Sequence, residues 1–295
     1  MNQRGSSPSG NEILALVVAD INNPFFADII KGVSKVARQN GYTVFACDTD
    51  ETVKTELSVL ETIQRQSFAG LIITPVSEQA NKNAQLLESI QDSEIPVVLV
   101  DREVKSANFD GVFIDNYKGA FDGVEALIRA GHRKIGIIAG PATSRPGKDR
   151  LKGYLEALRL YGIPVNEAYV QHGDFRWESG YHLAQRLMEL EDRPTAIFVS
   201  NNLMSIGCVK ALTERQMHVP DDVSLLVFDD SVALHAIGQN ISVINRSATQ
   251  MGVEAAKILI EKIQDKAKSV KRIPKKIVLL PKLELRGSEV LPQKP

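Results

Sequence analysis

Polar and aromatic side chains occur where the apolar segments of this sequence end. The first half of the chain supplies Asp20, Asn22, Asn23, Thr74, Asp101 and Arg102. The second half supplies Asp174, Asn201, Asn202, Asp229, Asp230 and Arg246. Aromatic rings accompany both sets at Phe25, Phe26, Phe175 and Trp177. Carboxylates accept hydrogen bonds, amides and guanidiniums donate them in planar geometry, and aromatic faces suit the C–H face of a pyranose. The combination predicts a site for a polyhydroxy ligand such as a sugar.

A second explanation exists for any single Asp or Asn in these sets. Helices prefer these residue types as N-caps, so an Asp or Asn at a strand end can simply begin the next helix. For one residue, capping and ligand binding remain equal alternatives. For the whole set, ligand binding is the favoured interpretation.

Alternating strand and helix patterns must position these side chains. Ile13–Asp20 is a nearly continuous apolar run, typical of a parallel strand buried on both faces. Pro24–Gln39 then has apolar residues at helical spacing, and Gly41 ends the helix. The alternation continues to Arg102, and a second series of similar length begins at Gly131. The pattern predicts an α/β fold with two doubly wound parallel-sheet lobes, which bind ligands at the carboxyl ends of their strands.

The C-terminal part predicts a chain that crosses between the lobes more than once. It contains a strand, a helix over about residues 249–265 and a strand pair in KIVLLPKLELRG, which we expect to complete both lobes. The expected segments are a disordered leader or tag remnant at 1–11, an N-terminal lobe at 12–115 plus 247–274, a C-terminal lobe at 116–246 plus 275–288, and a tail at 289–295. Two stiff lobes joined by several hinge crossovers suit a clamp that closes on a ligand.

Composition excludes several classes of protein. The 295 residues carry 35 Lys and Arg against 36 Asp and Glu, a net charge of -1, which disfavours a free-standing nucleic-acid-binding domain. No apolar run approaches the roughly 18 residues of a membrane span. Cys47 and Cys208 lie in separate apolar runs, and we expect buried thiols there rather than a disulfide.

Catalytic motifs are not found. The segment GPATSRPGK lacks the glycine spacing of a phosphate-binding loop, and Asp149 stands where a magnesium-binding hydroxyl would be needed. The histidines lack metal-binding spacing, and no nucleophile elbow occurs. We therefore expect no catalytic residue, no metal and no cofactor. The basic run over 262–276 is expected to complement a helix end rather than to contact DNA.

Short motifs along the chain carry a family resemblance. In order they are INNPFFADIIKGV, VDR, IDN, GHRKIGIIAGP, DRLKGYLEAL, TAIFVSNNLMSIG, VPDDVSLLVFDD and LELRGS. From about Ile13 to Ser288 they resemble the effector-binding core of the lactose-repressor/galactose-repressor family of bacterial transcription regulators, which is similar to periplasmic ribose-binding proteins. The resemblance implies a type I periplasmic-binding-protein-like fold. It also implies a cytoplasmic homodimer in which a sugar or sugar acid binds between the lobes, and lobe closure changes DNA binding.

The resemblance also implies a set of ligand-binding residues. They are Asn23, Phe25, Phe26, Asp101, Arg102, Arg150, Phe175, Asn201 and Asp229. Most of them coincide with the residues at the strand ends. Arg102 and Arg150 are expected to approach the ligand from opposite lobes. Regulators of this family carry an N-terminal helix-turn-helix, which we do not find before Ile13, so we expect the DNA-binding domain to be absent from this chain.

Three departures from the family pattern matter. Asn202 replaces a common Asp, Val227 replaces a common Gly, and Arg246 replaces a common Gln. Arg246 leaves two alternatives open. Either it binds the carboxylate of a sugar acid, or it pairs internally with Asp20 or Asp230 and the ligand is neutral.

Two other classes of function also remain open. A periplasmic sugar-binding protein of a transporter would need the same binding residues without a dimer. An enzyme acting on sugars is the third possibility.

Overall fold

Two units of sheet and helix make up the chain. We analysed a computed structural model that describes residues 12–79, 81–105, 107–266 and 273–292, so the predicted leader lies outside the described residues. The first unit comprises the residues up to Phe113 together with Ala248–Ile277, and the second comprises Ile114–Ser247 and the residues from Val278 onward. The chain therefore passes between units after Phe113, Ser247 and Ile277. The sequence placed these passages after residues 115, 246 and 274.

Strands and helices alternate through most of the chain. The strands are β1 (Glu12–Val18), β2 (Tyr42–Asp48), β3 (Gly70–Ile73), β4 (Val97–Val100), β5 (Asp110–Ile114), β6 (Ile135–Ala139), β7 (Val170–His172), β8 (Ala196–Val199), β9 (Ser224–Phe228), β10 (Ser242–Asn245), β11 (Lys276–Leu279) and β12 (Lys282–Glu284). The helices are α1 (Pro24–Gln39), α2 (Val53–Arg65), α3 (Asn81–Asp92), α4 (Asn116–Arg129), α5 (Arg145–Leu160), α6 (Trp177–Glu189), α7 (Asn202–Glu214), α8 (Val232–Ala236) and α9 (Ala248–Lys266). None of the helices within the described ranges is long and apolar enough to cross a membrane.

Each unit contains one sheet of six strands. The order is β11-β5-β4-β3-β1-β2 in the first unit and β12-β10-β9-β8-β6-β7 in the second. Strands β1 to β5 pair in parallel, as do β6 to β10, whereas β12 pairs with β10 antiparallel. The predicted α/β fold with two doubly wound parallel sheets is confirmed. The final strand pair does divide between the two sheets, since β11 joins the first and β12 the second.

Continuous apolar runs form the central strands because helices cover both faces of each sheet. Every residue of β3, β4, β6 and β8 is buried. The thiol of Cys208 lies in the core of the second unit, where burial raises its pKa to about 12. Cys47 is only half-buried because β2 is an edge strand, and both cysteines are free. The prediction of a buried thiol therefore holds for Cys208 and only in part for Cys47.

Helix α1 shows how the sequence defines an element that carries site residues. Its N-cap is Asn23, whose side-chain oxygen accepts a hydrogen bond from the Phe25 amide at 3.0 Å, and Pro24 occupies the first turn. The buried face packs closely against α9. A Cβ atom on Gly32 would lie 2.2 Å from the Thr249 carbonyl oxygen, so only glycine permits this approach.

Three elements were not singled out from the sequence, namely β5, α4 and α8. Helix α4 has Val124, Leu127 and Ile128 at helical spacing on its buried face, together with Gly119 and Gly123 nearer its start. Side chains fill the space that these glycines leave, since a Cβ on Gly123 would meet the Ile244 side chain at 2.5 Å. The apolar spacing of α4 was thus readable from the sequence.

The predicted tail begins too early. The Ser288 carbonyl oxygen accepts a hydrogen bond from the Leu225 amide at 2.9 Å, and the Glu289 carbonyl oxygen lies 3.1 Å from Nε2 of His132. The Ser224 hydroxyl donates to the Val290 carbonyl oxygen. These contacts attach residues 288–290 to the second unit. All three contacts join groups far apart in sequence, so no local pattern could indicate them.

Candidate functional site

Polar residues of the first unit gather at the carboxyl ends of β1 to β4. Asp20 follows β1 and is buried, and its carboxylate accepts a hydrogen bond from the Asn22 amide at 2.9 Å. Burial raises the pKa of Asp20, hydrogen bonds from Asn22 lower it in part, and repulsion from Asp48 and Glu51 raises it further. This end of the sheet is therefore rich in negative charge.

Arg102 is the guanidinium of this edge, and Glu51 binds it. Its two terminal nitrogens lie 2.7 and 2.6 Å from the two carboxylate oxygens of Glu51. Asp101 is also near, with an oxygen 3.7 Å from Nε of Arg102. Burial alone would lower the pKa of Arg102, but attraction to Glu51 and Asp101 outweighs it and raises the pKa. Glu51 was not predicted as a site residue because it belongs to none of the family motifs.

Phe25, Phe26 and Thr74 complete the predicted residues of the first unit. The two phenyl rings pack edge to face with centroids 5.0 Å apart, and both are buried. Thr74 follows β3 and is fully buried, and its hydroxyl makes no hydrogen bond within the described part of the chain. A buried hydroxyl of this kind remains able to bind a polar ligand group.

The second unit has its own buried ion pair at the carboxyl edge. Nε and one terminal nitrogen of Arg246 donate to the two carboxylate oxygens of Asp229 at 2.6 and 2.8 Å. Arg246 therefore pairs with a carboxylate of the protein itself. This was one of the two alternatives that the sequence left open, the other being a ligand carboxylate. It pairs with Asp229, whereas the sequence had suggested Asp20 or Asp230. Asp229 follows β9 and Arg246 follows the neighbouring strand β10.

Arg150 projects from α5 and is 1% exposed. Its Nε donates to Oδ1 of Asn116 at 2.9 Å, and NH1 donates to the carbonyl oxygen of Ser200. The guanidinium carbon lies 3.7 Å from the centroid of the Phe228 ring, within cation–π range. The predicted residue is therefore placed at this edge, and Asn116 and Phe228 hold it there.

Asn201 and Phe175 are also brought together. The Asn201 side chain caps α7 by accepting from the Met204 amide at 3.0 Å and donates to the Phe175 carbonyl oxygen at 2.9 Å. Asp174 accepts from the Arg176 amide at 2.9 Å in the turn before α6, whose N-cap is Arg176. The capping explanation is therefore correct for Asn23 and Asn201, and it leaves open a further role in binding.

Asp230 and Trp177, which the sequence also placed near strand ends, lie outside the buried groups described above. Asp230 forms an ion pair with Arg286 at 2.7 Å and lies 2.8 Å from Nε2 of His235. Burial would raise the pKa of Asp230, but hydrogen bonding and attraction to Arg286 lower it. Trp177 is 43% exposed and does not belong to the buried set.

Unusual backbone geometry marks both edges. Asp101, Phe175 and Asp229 are not glycines, yet they adopt φ angles of 67°, 71° and 71°. Asp50 and Glu51 are also left-handed, with φ of 48° and 52°. Such residues cost about 1–3 kcal/mol each and concentrate at ligand-binding sites. The two edges therefore have the local strain typical of a preorganised binding site.

Comparison with known proteins supplies the family. The profile of the family described as periplasmic binding proteins and sugar binding domain of LacI family matches residues 11–281. The chain belongs to this family. It is an effector-binding core of the LacI type, as the motifs indicated.

Individual relatives of this LacI-family core include repressors and solved regulators. It is 31% identical over 275 residues to the HTH-type transcriptional repressor PurR of Haemophilus influenzae strain PittEE, covering 93% of this chain and 80% of the relative. A structure of a complex of the transcriptional regulator CelR with cellobiose is 28% identical with a TM-score of 0.83, covering 94% and 85% of the two chains. The transcription regulator CcpA of Lactococcus lactis is 25% identical with a TM-score of 0.83, covering 95% and 99%. The chain is thus similar to regulators that sense small-molecule effectors.

No metal site is apparent within the described ranges, where no group of three or more His, Cys, Asp or Glu residues is arranged to hold an ion. At both sheet edges, buried side chains can form hydrogen bonds with a ligand, and aromatic rings can contact its apolar faces.

Proposed function

We propose that this chain senses a neutral sugar, with residues of both sheet edges contributing to its binding. The supporting observation is the pairing of Arg102 with Glu51 and of Arg246 with Asp229, each through two hydrogen bonds. A carboxylate on the ligand would have to compete with a bound carboxylate for either guanidinium. Hydroxyl groups need no such exchange of charge, because they both donate and accept hydrogen bonds.

The proposed contacts are the residues predicted from the sequence. Asp101 and Asp229 accept hydrogen bonds from ligand hydroxyls, and Arg102 and Arg150 donate to ligand oxygens. Phe25, Phe26 and Phe175 supply apolar faces for the ring. Asn23, Thr74, Asn201 and Arg246 border the same edges. The CelR structure with cellobiose, a neutral sugar, supports this class of effector.

A matched ligand panel tests the proposal. Ribose, glucose, galactose and cellobiose are each compared with the corresponding aldonic or uronic acid by thermal unfolding and calorimetry. A ligand at about 100 times its dissociation constant stabilises the folded state by about 2.7 kcal/mol, which gives a measurable shift. We expect one neutral sugar to bind more tightly than its acid. Tighter binding of the acid, or of nucleobases included in the panel, would contradict the proposal.

We further propose that the chain acts as the sensing part of a cytoplasmic, homodimeric transcription regulator and does not turn over its ligand. The repressor relatives support this role. In such a regulator, a ligand favours one arrangement of the protein, and DNA binding outside this core responds. An unchanged sugar after prolonged incubation is the expected result, and release of any product would indicate an enzyme.

A periplasmic sugar-binding protein is the second candidate, because the matching family also includes periplasmic binding proteins. Solution mass separates the two. Sedimentation equilibrium of the chain, with and without the bound sugar, is expected to give the mass of a dimer. A monomer at all concentrations tested would favour the transport protein.

A further inference from the structure

The carboxylate of Glu51 binds the guanidinium of Arg102, one of the residues proposed to contact the ligand. We propose that Glu51 is a specificity-determining residue that makes the first unit select neutral ligands and exclude acidic ones. This inference rests on the proposed function and extends it to a residue outside the predicted set. Both oxygens of the Glu51 carboxylate are within 2.7 Å of Arg102 nitrogens, and the Arg102 side chain is 5% exposed.

The turn that follows β2 holds Glu51 in place. Asp50 and Glu51 adopt left-handed backbone angles, and the Glu51 amide donates to the Ala19 carbonyl oxygen at 2.7 Å. The Asp48 carboxylate accepts from the Ile21 amide at 3.1 Å. These bonds connect the turn to the segment after β1. These bonds fix the backbone position from which the Glu51 side chain reaches Arg102.

Arg102 is restrained on its other sides as well. One terminal nitrogen donates to the Val76 carbonyl oxygen at 3.3 Å. The Val76 amide in turn donates to the buried carboxylate of Glu56 at 2.5 Å, and Glu56 accepts from Asn83 at 2.6 Å. Segments after β2, β3 and β4 thus fix the geometry of the ion pair. A fixed bidentate pair in a partly buried position is stronger than a mobile surface pair.

Negative charge at this sheet edge disfavours the binding of an acidic ligand. The carboxylates of Glu51 and Asp101 both interact with the Arg102 guanidinium, and Asp20 lies near Glu51. A ligand carboxylate placed beside Arg102 would meet these like charges with little water to screen them, which is unfavourable. A ligand hydroxyl adds no charge and is accepted. The carboxylate of Glu51 therefore discriminates by repulsion as well as by occupying the guanidinium.

Glu51→Gln tests the proposal, because glutamine keeps the shape of the side chain and removes its charge. The matched control is Asp50→Asn, which removes one charge from the neighbouring residue in the same turn. Asparagine is well tolerated at the left-handed angle of residue 50. Calorimetry measures dissociation constants for each neutral sugar and its acid with the 295-residue chain and with both variants.

We expect Glu51→Gln to shift the ratio of acid to neutral affinity toward the acid by at least about tenfold, whereas Asp50→Asn shifts it far less. An unchanged ratio in Glu51→Gln, or an equal shift in Asp50→Asn, would overturn the role of Glu51 while neutral-sugar binding by the wild type would still support the proposed function. If the wild type binds no neutral sugar, both ideas are contradicted. Thermal unfolding checks that the variants fold. If Glu51→Gln does not fold, the same measurement is made with Glu51→Asn.

Discussion

Single residues at both sheet edges combine burial with charge. Asp229 and Arg246 form the clearest case, because both side chains are less than 7% exposed and two hydrogen bonds join them. Removing two charges from water is costly, so such a pair is stable only while both members are present. Nearby, the Phe228 ring lies 5.9 Å from the Arg246 guanidinium carbon and adds an aromatic contact.

A double-mutant cycle on Asp229 and Arg246 measures this dependence. We expect Asp229→Asn to lower the free energy of unfolding by about 3–5 kcal/mol, because it removes the carboxylate charge that pairs with a buried guanidinium. Arg246→Gln is expected to lower it comparably. The double variant should regain much of the loss, since two neutral amides can pair with each other. Urea unfolding gives the values, and losses that simply add would show that the two residues are not coupled.

The sequence indicated the site residues that belong to motifs but not the side chains with which they form ion pairs. Asp101, Arg102 and Asp229 lie at the predicted edges because they follow strands, and Arg150 lies in the second turn of α5. Glu51 binds Arg102 from 51 positions away, and no periodicity or motif indicates a contact of that kind. Pairing between side chains depends on tertiary packing, which a single sequence does not specify.

At the level of elements, prediction succeeded where burial gives a strong pattern. The limits of α1 were predicted correctly as Pro24–Gln39, because a cap, an N-terminal proline and an apolar stripe all agree. Helix α4 was not singled out although Val124, Leu127 and Ile128 stand at helical spacing on its buried face. Helix α8 has only five residues, Val232–Ala236, too few for a periodic pattern. Periodicity could therefore have indicated α4 but not α8.

Elements also explain why the site residues cluster. Parallel strands place all their carboxyl ends on one edge of a sheet, so residues far apart in sequence meet there. Asp20 after β1, Thr74 after β3 and Asp101 after β4 are neighbours for this reason. In the second unit, the same rule brings Asp229 after β9 next to Arg246 after β10. Topology thus assembles each half of the proposed site from short local motifs.

On the scale of the whole molecule, the last described segment is part of the second unit. Ser288 bridges two strands, with its hydroxyl accepting from the Ser242 amide at 2.6 Å and donating to the Leu225 carbonyl oxygen at 2.6 Å. The carboxylate of Glu289 accepts from the Gly287 amide at 2.9 Å. The chain therefore stays attached to the second sheet after β12, and contacts of Ser288 help to hold it there. We expect the stability of this attachment to depend on His132.

His132 is fully buried, with Nδ1 2.8 Å from the Thr195 hydroxyl and Nε2 3.1 Å from the Glu289 carbonyl oxygen. Burial lowers the pKa of His132, and the hydrogen bond to Glu289 offsets this only in part. The unfolded chain, with an ordinary histidine pKa of about 6.5, therefore binds the proton more readily than the folded chain. The contribution of His132 to stability is complete above that value and is lost as the pH falls from it through the lower pKa of the folded state.

Unfolding measured between pH 7.5 and 5 should reveal this loss, with a slope of up to about 1.4 kcal/mol per pH unit from this residue. We expect His132→Gln, which can still form hydrogen bonds but does not titrate, to be less stable than the wild type at pH 7.5 and to depend less on pH. His182 is exposed on α6 and serves as the control. His182→Gln should keep the pH dependence that His132 causes, because it leaves His132 and its contacts unchanged. An equal slope in wild type and His132→Gln would show that protonation of His132 does not weaken the second unit.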